Sequence, residues 1–419
     1  MTLVLFALFL LFLILGVPVA FAIGASSVIA LHGGDVPLQV VAQRMFSGAN
    51  TFALIAVPLF ILAGDLMAQG KVSEKLVNFA DAVLGFLKGG LSIVSVLAGM
   101  FFSAISGSGA ATTAAVGSSL VPELQRKGYD PASAASLIAA SGTIGVVIPP
   151  SVPMIIYAVI AQESVARLFL NGFIPGILMG VGLMAIAVVQ AYQRNYPRGA
   201  EFSLRLILRT LADAAWGMMT PLIILGGIFS GIFTPSEAAV VAVNYALFVS
   251  LFIYRDLTLR QIYHVMVRAA ITTAVIMFVI ATSAVLSWAL ANWGVPAQVA
   301  AWVLGQSTNL YLIMLLVVLI ILFTGIFIET ASALIILTPV LLPLMVYLGI
   351  DPIHFGLIIV VGLAIGMITP PVAINLYVAS SITNQSLERI SWAVLPYLFV
   401  LISVLMVVVY GPILLGMSG

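Results

Sequence analysis

The chain has 419 residues, 63% of them hydrophobic and only 7% charged, with a mean hydropathy of +1.26. Soluble domains carry about a quarter charged residues, so this composition belongs to an integral membrane protein. The absence of cysteine excludes disulfides and thiolate metal sites, a net charge of +1 gives no reason to expect a nucleic-acid partner, and three scattered histidines (His32, His264, His354) give no support to a histidine metal cluster.

The apolar stretches are long and lack the alternation of an outer-membrane barrel, so the chain is expected to be all-α and polytopic. The first stretch is 1–16, and the run it opens, "TLVLFALFLLFLILGVPVAFAIGASS", lacks a basic n-region and is too long for the h-region of a signal peptide, so it reads as retained. Stretches 18–33 and 45–69 follow, the latter carrying Asp65, which is expected to do no more than pair with Lys71. Residues 71–86 are amphipathic with basic side chains and read as an interfacial helix or a surface for a partner subunit.

Stretch 89–126 is interrupted by "SAISGSGAATTAAVGSS". Here Ser103, Ser106, Ser108, Thr112 and Thr113 cluster with Gly107 and Gly109, and the stretch reads as a re-entrant helical hairpin. Non-helical backbone survives in lipid only where it lines protein or a watery cavity, so this tip is a candidate ion site. Residues 131–163 then form a helix that starts at Asp130-Pro131, a capping pattern, and breaks at "IGVVIPP". Pro149 and Pro150 cannot continue the helical ladder, and they free carbonyls near Gly145.

After 170–193, residues 202–216 again read as an interfacial helix, separate from the span 215–233. In "GIFTPSEAAV", 231–240, Thr234 or Ser236 is expected to cap a helix with Pro235 and Glu237 in its first turn. Spans 236–254 and 265–292 lead to a second hairpin, 309–349, with tip "LFTGIFIETASALI". Its Thr324, Gly325, Thr330 and Ser332 stand beside Glu329; a carboxylate at membrane depth is by default a functional candidate, the other reading being a helix cap. The second broken helix, 352–382, starts at Asp351-Pro352 and stops at "IGMITPP" with Gly366, Thr369, Pro370 and Pro371; 390–416 closes the chain.

These features repeat. Residues 103–175 align without a gap to 324–396, at a constant offset of 221 residues, and five of the six prolines in each window coincide. The fold expected is an inverted repeat, 1–200 and 201–419, each half contributing five spans plus one re-entrant hairpin and one discontinuous helix. In this layout one side receives all Lys and Arg residues except Arg44 and Arg167, a strong positive-inside bias that places both termini on the outer side. No Gly-rich nucleotide loop is present, so no ATP is expected to be hydrolysed, and no histidine stands near either tip to serve an enzyme.

At "SGSGAATTAAVGSSLVPEL", "YDPASAASLIAASGTIGVVIPPSVPMIIYA", "GIFTPSEAAVVAVNYA" and "IGMITPPVAINLYVA" the chain resembles the large, M-type membrane subunit of tripartite ATP-independent periplasmic (TRAP) transporters over essentially its full length. The resemblance implies an elevator-type transporter of the bacterial inner membrane, coupled to Na⁺ at two or more sites. It also implies a small four-helix membrane subunit on a separate chain and a periplasmic binding protein that delivers an organic acid of the sialic acid or C4-dicarboxylate type. Carried over, one Na⁺ site would use Ser103 and Ser106 with Gly145, Ile148 and Pro150, and the other Thr324, Gly325, Gly366 and Thr369. The substrate would lie near Ser106, Ser108, Thr112, Glu329, Thr330 and Ser332. The competing expectation is a self-sufficient Na⁺/anion symporter of the same hairpin plan.

Overall fold

The computed structural model describes residues 1–199, 201–306 and 309–416; the repeat boundary at residue 200 and residues 417–419 lie outside them. Every element among the described residues is helical, and eight helices are long and apolar enough to cross a membrane. In lipid only intrahelical hydrogen bonds satisfy the backbone over such lengths. Large apolar side chains such as Leu3, Leu222, Ile271 and Phe399 are left exposed on the outer helices, where lipid replaces water as the contact.

The two hairpins and the two broken helices form the centre. The first hairpin comprises Gly90–Ser106 and Gly109–Arg126; the second comprises Leu310–Phe327 and Thr330–Tyr347. The first broken helix runs Pro131–Thr143, passes through a tight 3₁₀ turn at Ile144–Val146, and resumes as Val152–Ala161. The second runs Pro352–Gly366 and resumes as Ile374–Thr383. The halves interlock crosswise. The second arm of the first hairpin packs on both Pro131–Thr143 and Ile374–Thr383, and the second arm of the other hairpin packs on Val152–Ala161 and Pro352–Gly366. Tyr157 ties one half to the other by donating to the Pro352 carbonyl at 2.5 Å.

The expected helix starts are made as the sequence suggests. Asp130 accepts from the Ser133 N–H at 2.9 Å, and Asp351 from the Ile353 N–H at 2.6 Å. Such caps are worth about 1 kcal/mol each because they satisfy otherwise orphaned donors. Thr234 and Glu237 form a reciprocal capping box, while Ser236 donates to the Phe52 carbonyl at 3.1 Å.

An outer frame surrounds this block. Leu259–Asn292, a helix of 34 residues, packs on Val19–His32, Leu38–Ala49 and Ala56–Gln69, and Ala56–Gln69 packs in turn on Pro235–Phe248. Val165–Gln193 lies against Leu387–Leu414, where Tyr397 donates to Gln190 at 2.6 Å in the buried interface. Val72–Leu84 is a short amphipathic helix, as expected. Three elements differ from the sequence reading. The stretch 45–69 is broken at Asn50-Thr51 into two helices, and a short helix, Val295–Gln306, precedes the second hairpin. Residues 202–216 are not a separate interfacial helix: most of them belong to one helix, Leu204–Phe229, which runs on without a break through Gly217 and Pro221.

Small residues set the helix spacing in the frame. A Cβ on Gly48 would lie 2.3 Å from the Ala284 Cβ across the Leu38–Ala49 and Leu259–Asn292 contact. Overpacking of this kind costs about 1–3 kcal/mol. Gly48→Ala is therefore expected to lower the thermal unfolding midpoint in detergent, and adding Ala284→Gly should restore it. Additive losses in the double variant would contradict this packing.

Candidate functional site

The first tip is a two-residue turn. Gly90–Ser106 ends at Gly107, whose φ of +60° suits glycine, and Gly109–Arg126 begins on the cap Ser108. Gly107 lies so close to the first break that a Cβ on it would stand 2.7 Å from the Pro150 carbonyl oxygen. The Ser106 hydroxyl is 2.9 Å from the Thr112 hydroxyl and 3.3 Å from the Ser108 carbonyl. Gly145 closes this group: a Cβ there would stand 2.7 Å from both the Ser108 carbonyl oxygen and Thr112 Oγ1. The fold thus gathers Ser106, Ser108, Thr112, Gly145 and Pro150, and all but Ser108 are buried. Ser103 is buried too, but its hydroxyl turns back to the Gly99 carbonyl at 2.6 Å. The Ile148 N–H donates to Ile144 at 3.0 Å, and its side chain packs on Gly176.

The second tip repeats the closest of these contacts. A Cβ on Gly366 would stand 2.4 Å from the Gly325 carbonyl oxygen. Thr324 and Thr369 flank the pair, each donating to its own helix, at Ile320 (2.8 Å) and Ile365 (2.9 Å). The Gly366 carbonyl also accepts from the Thr369 N–H at 3.0 Å. Glu329 is the N-cap of Thr330–Tyr347, accepting from the Ala331 and Ser332 N–H groups at 3.0 and 3.2 Å. Its carboxylate therefore serves this helix start while remaining exposed, and Ser332 is buried behind it. The second break is the less enclosed: Pro149 and Pro150 are buried, whereas Pro370 is half-buried and Pro371 exposed.

A cavity of about 420 Å³ lies between the tips and the frame, and its walls include Ser106, Ser108, Glu329 and Thr330. Four helix starts reach it: Gly109, Val152, Thr330 and Ile374 are each the first residue of a helix and each line it. A helix N-terminus carries about half an elementary positive charge together with unpaired N–H groups, so their convergence favours an anion. The start at Glu329 already has a carboxylate, whereas the start at Ser108 has only a neutral hydroxyl 3.4 Å from the Ala111 N–H. The cavity shares Asp65, Ala111 and Arg268 with a larger one of about 620 Å³, which extends toward Lys71 and Glu74.

Two residues of this region were not singled out from the sequence. Arg268 reads as one of several basic residues near a span end, yet it lines both cavities. Asn375 is fully buried and donates to the Ala139 carbonyl at 3.2 Å, joining the two broken helices. Its signal was an amide following the second proline pair, where the first repeat has Met154. The expected Asp65–Lys71 pair is absent among the described residues. The Lys71 N–H instead donates to Asp256 at 2.5 Å, and Asp65 faces the cavity.

The donor set at both breaks fits a hard monovalent cation. At the first break a hydroxyl and a carbonyl oxygen crowd Gly145, and at the second a carbonyl oxygen crowds Gly366, each glycine's missing Cβ leaving the space, a cradle of the kind that coordinates Na⁺ in transporters. No group of three or more His, Cys, Asp or Glu side chains suited to a transition metal occurs among the described residues.

Interlocked hairpins and helices broken at matched positions define an inverted-repeat membrane transporter fold. The crystal structure of the Alcanivorax borkumensis YdaH transporter shares it, with a TM-score of 0.66 at 16% identity over 90% of this chain and 88% of that one. The family described as "Tripartite ATP-independent periplasmic transporter, DctM component" matches residues 6–414, and the chain belongs to it. Among its relatives, the C4-dicarboxylate TRAP transporter large permease protein DctM of Pseudomonas aeruginosa is 40% identical over 90% of this chain and 88% of its own length. The sialic acid TRAP transporter large permease protein SiaM of Vibrio cholerae is 36% identical over 95% and 93%. The isethionate TRAP transporter permease protein DctMQ of Oleidesulfovibrio alaskensis is 40% identical over 98% of this chain, which spans 65% of that protein's length.

The Glu329 cap is testable by itself. Glu329→Ala is expected to destabilise the start of the second arm by about 1 kcal/mol, whereas Glu329→Asn keeps most of the cap. Hydrogen exchange should show the Ala331 and Ser332 amides opening roughly fivefold more often in the alanine variant, following the same energy. Unchanged exchange would remove the capping role.

Proposed function

We propose that this TRAP large permease subunit imports an organic acid into the bacterial cell by Na⁺ symport. Its hairpins and broken helices would move as one block against the outer frame. The carrying observation is the convergence of four helix starts on one cavity flanked by two oxygen cradles, one per repeat. Ser106, Ser108 and Thr330 present hydroxyls to a carboxylate in that cavity, and the neutral cap at Ser108 makes the first tip the better anion seat.

Ser106, Thr112 and the carbonyls of Ser108, Gly145 and Pro150 would hold one Na⁺; Thr324, Gly325, Gly366 and Thr369 would hold the second. When bound, Na⁺ supplies the charge that lets an anion enter a low-dielectric block and links its passage to the cation gradient. Ser106 contributes to both seats, so it connects the two ligands physically. Supporting the substrate class, relatives are named for C4-dicarboxylates, sialic acid and 2,3-diketo-L-gulonate, all carboxylates, and for isethionate, a sulfonate. The division at residue 200 into two inverted repeats, both termini on the periplasmic side, a small membrane subunit and a periplasmic binding protein belong to the same reading. The basic residues on one face support the orientation.

The test is Na⁺-driven uptake of succinate, N-acetylneuraminate and isethionate by the permease reconstituted with the small subunit, run against candidate binding proteins. Uptake of at least one acid only with Na⁺ outside is expected; uptake indifferent to Na⁺ would overturn the coupling. Gly145→Ala, which fills the first cradle, should raise the half-activating Na⁺ concentration on the order of tenfold. Ser106→Ala should weaken both Na⁺ activation and acid affinity. Wild-type Na⁺ dependence in both variants would remove the first site.

A further inference from the structure

The tip cavity has a counterpart on the frame. A second cavity, of about 360 Å³, is bounded by Arg44, Thr51 and Trp288 of the frame and by Val159 and Pro339 of the block. The helices that start at Leu38 and Leu259 are also 221 residues apart, as are Thr51 and Thr272, and each threonine lines its own cavity, beside Arg44 in one case and Arg268 in the other. The two arginines are thus placed within one helical turn of equivalence by the repeat. Being inverted, it sends them to opposite ends of the same long helix. Arg268 lies on Leu259–Asn292, and the Arg44 guanidinium stacks over Trp288 of that helix, 5.3 Å from the ring centroid. Twenty residues from 268 to 288 correspond to about 30 Å along a helix, the thickness of a bilayer core.

Neither guanidinium takes part in an ion pair or side-chain hydrogen bond among the described residues. Both arginines are exposed at the edge of a cavity, near opposite ends of the long helix, where their N–H donors are open to a ligand. Asp65 and Glu329 line the Arg268 cavity; Glu329 is engaged with the Ala331 and Ser332 N–H groups, leaving Asp65 as the resident counter-charge.

Building on the organic-acid reading above, we propose that Arg268 and Arg44 are a matched pair of carboxylate subsites on the fixed frame. The substrate meets one at each mouth as the block carrying the tips is displaced. In the arrangement seen here the tip cavity opens beside Arg268, so Arg268 holds the acid at the face rich in basic residues and Arg44 at the opposite face. Trp288 holds Arg44 in place through its ring until a carboxylate arrives, and Asp65 does the same for Arg268. The planar guanidinium suits a carboxylate because it offers paired N–H donors.

The chain has no cysteine, which permits single-site chemistry. Sided counterflow would be measured with succinate, N-acetylneuraminate and isethionate in proteoliposomes of the complete permease, for wild type, Arg268→Gln and Arg44→Gln. Arg268→Gln should raise the half-saturating acid concentration about tenfold from the basic-rich face and by less than about twofold from the other, with Arg44→Gln giving the reverse. Arg268→Lys should recover part of the loss. Arg268→Cys should regain function with an ammonium-bearing methanethiosulfonate and not with a sulfonate-bearing one. Equal effects from both faces, no effect, or rescue by either reagent alike would overturn the pair. A wild-type permease that moves none of the three acids under a Na⁺ gradient would overturn the functional reading itself, and the pair with it.

Discussion

A backbone N–H or carbonyl in lipid must find a partner within the protein, and the whole architecture turns on how two interrupted helices meet that demand. At the first break the answer is direct. Ser151 donates to the Val146 carbonyl at 2.6 Å and caps the resumed helix, the Val147 and Ile148 N–H groups both return to Ile144, and the tip of the first hairpin presses Gly107 against Pro150. Residues 132–158 are buried throughout, so no group there relies on lipid. The tip and the break thus cover one another, with the Pro150 carbonyl oxygen lying directly against Gly107. Hairpin and broken helix therefore pack as one unit, and the frame helices pack around it as the other.

The second break solves the same problem less completely. Asn375 N–H returns to the Met367 carbonyl at 3.0 Å and its side chain crosses to Ala139, but Pro371 and Val372 remain exposed. The two tips also differ in charge. One is capped by a hydroxyl and the other by a carboxylate, so a site built by duplication is electrostatically unequal. Close glycine contacts fix the distances: Gly64 on the frame meets the Ser106 carbonyl with no space for a side chain, and it marks where the two units touch at the tip.

Much of this was legible in the sequence because it depends on local chemistry repeated at a fixed spacing. Proline pairs, Asp-Pro helix starts and glycine-rich tips each dictate backbone behaviour within a few residues, and their recurrence at 221 residues revealed the pairing of tips with breaks. What stayed hidden depends on neighbours distant in sequence. Whether Glu329 binds a ligand or caps a helix turns on a few ångströms of side-chain position. Asp65, near a span end, was matched with Lys71, whereas the fold turns Asp65 to the cavity and holds the Lys71 backbone N–H on Asp256, 185 residues away. Arg268 lay within a basic run at a span end, and only the packing of Leu259–Asn292 against Ala56–Gln69 brings it to the tips. The break at Asn50-Thr51 carries no proline or glycine, so apolar length alone suggested a continuous span.

The central claim is that the block of hairpins and broken helices moves relative to the frame when its ligands bind. Spin labels at Gln69 on the frame and Ser118 on the first hairpin, both lining the larger cavity, report that movement directly by distance measurement in liposomes. A shift of the distance distribution by more than a helical turn, about 5 Å, on addition of Na⁺ and a transported acid is the result expected. A single distribution, identical with and without both ligands, would contradict the account.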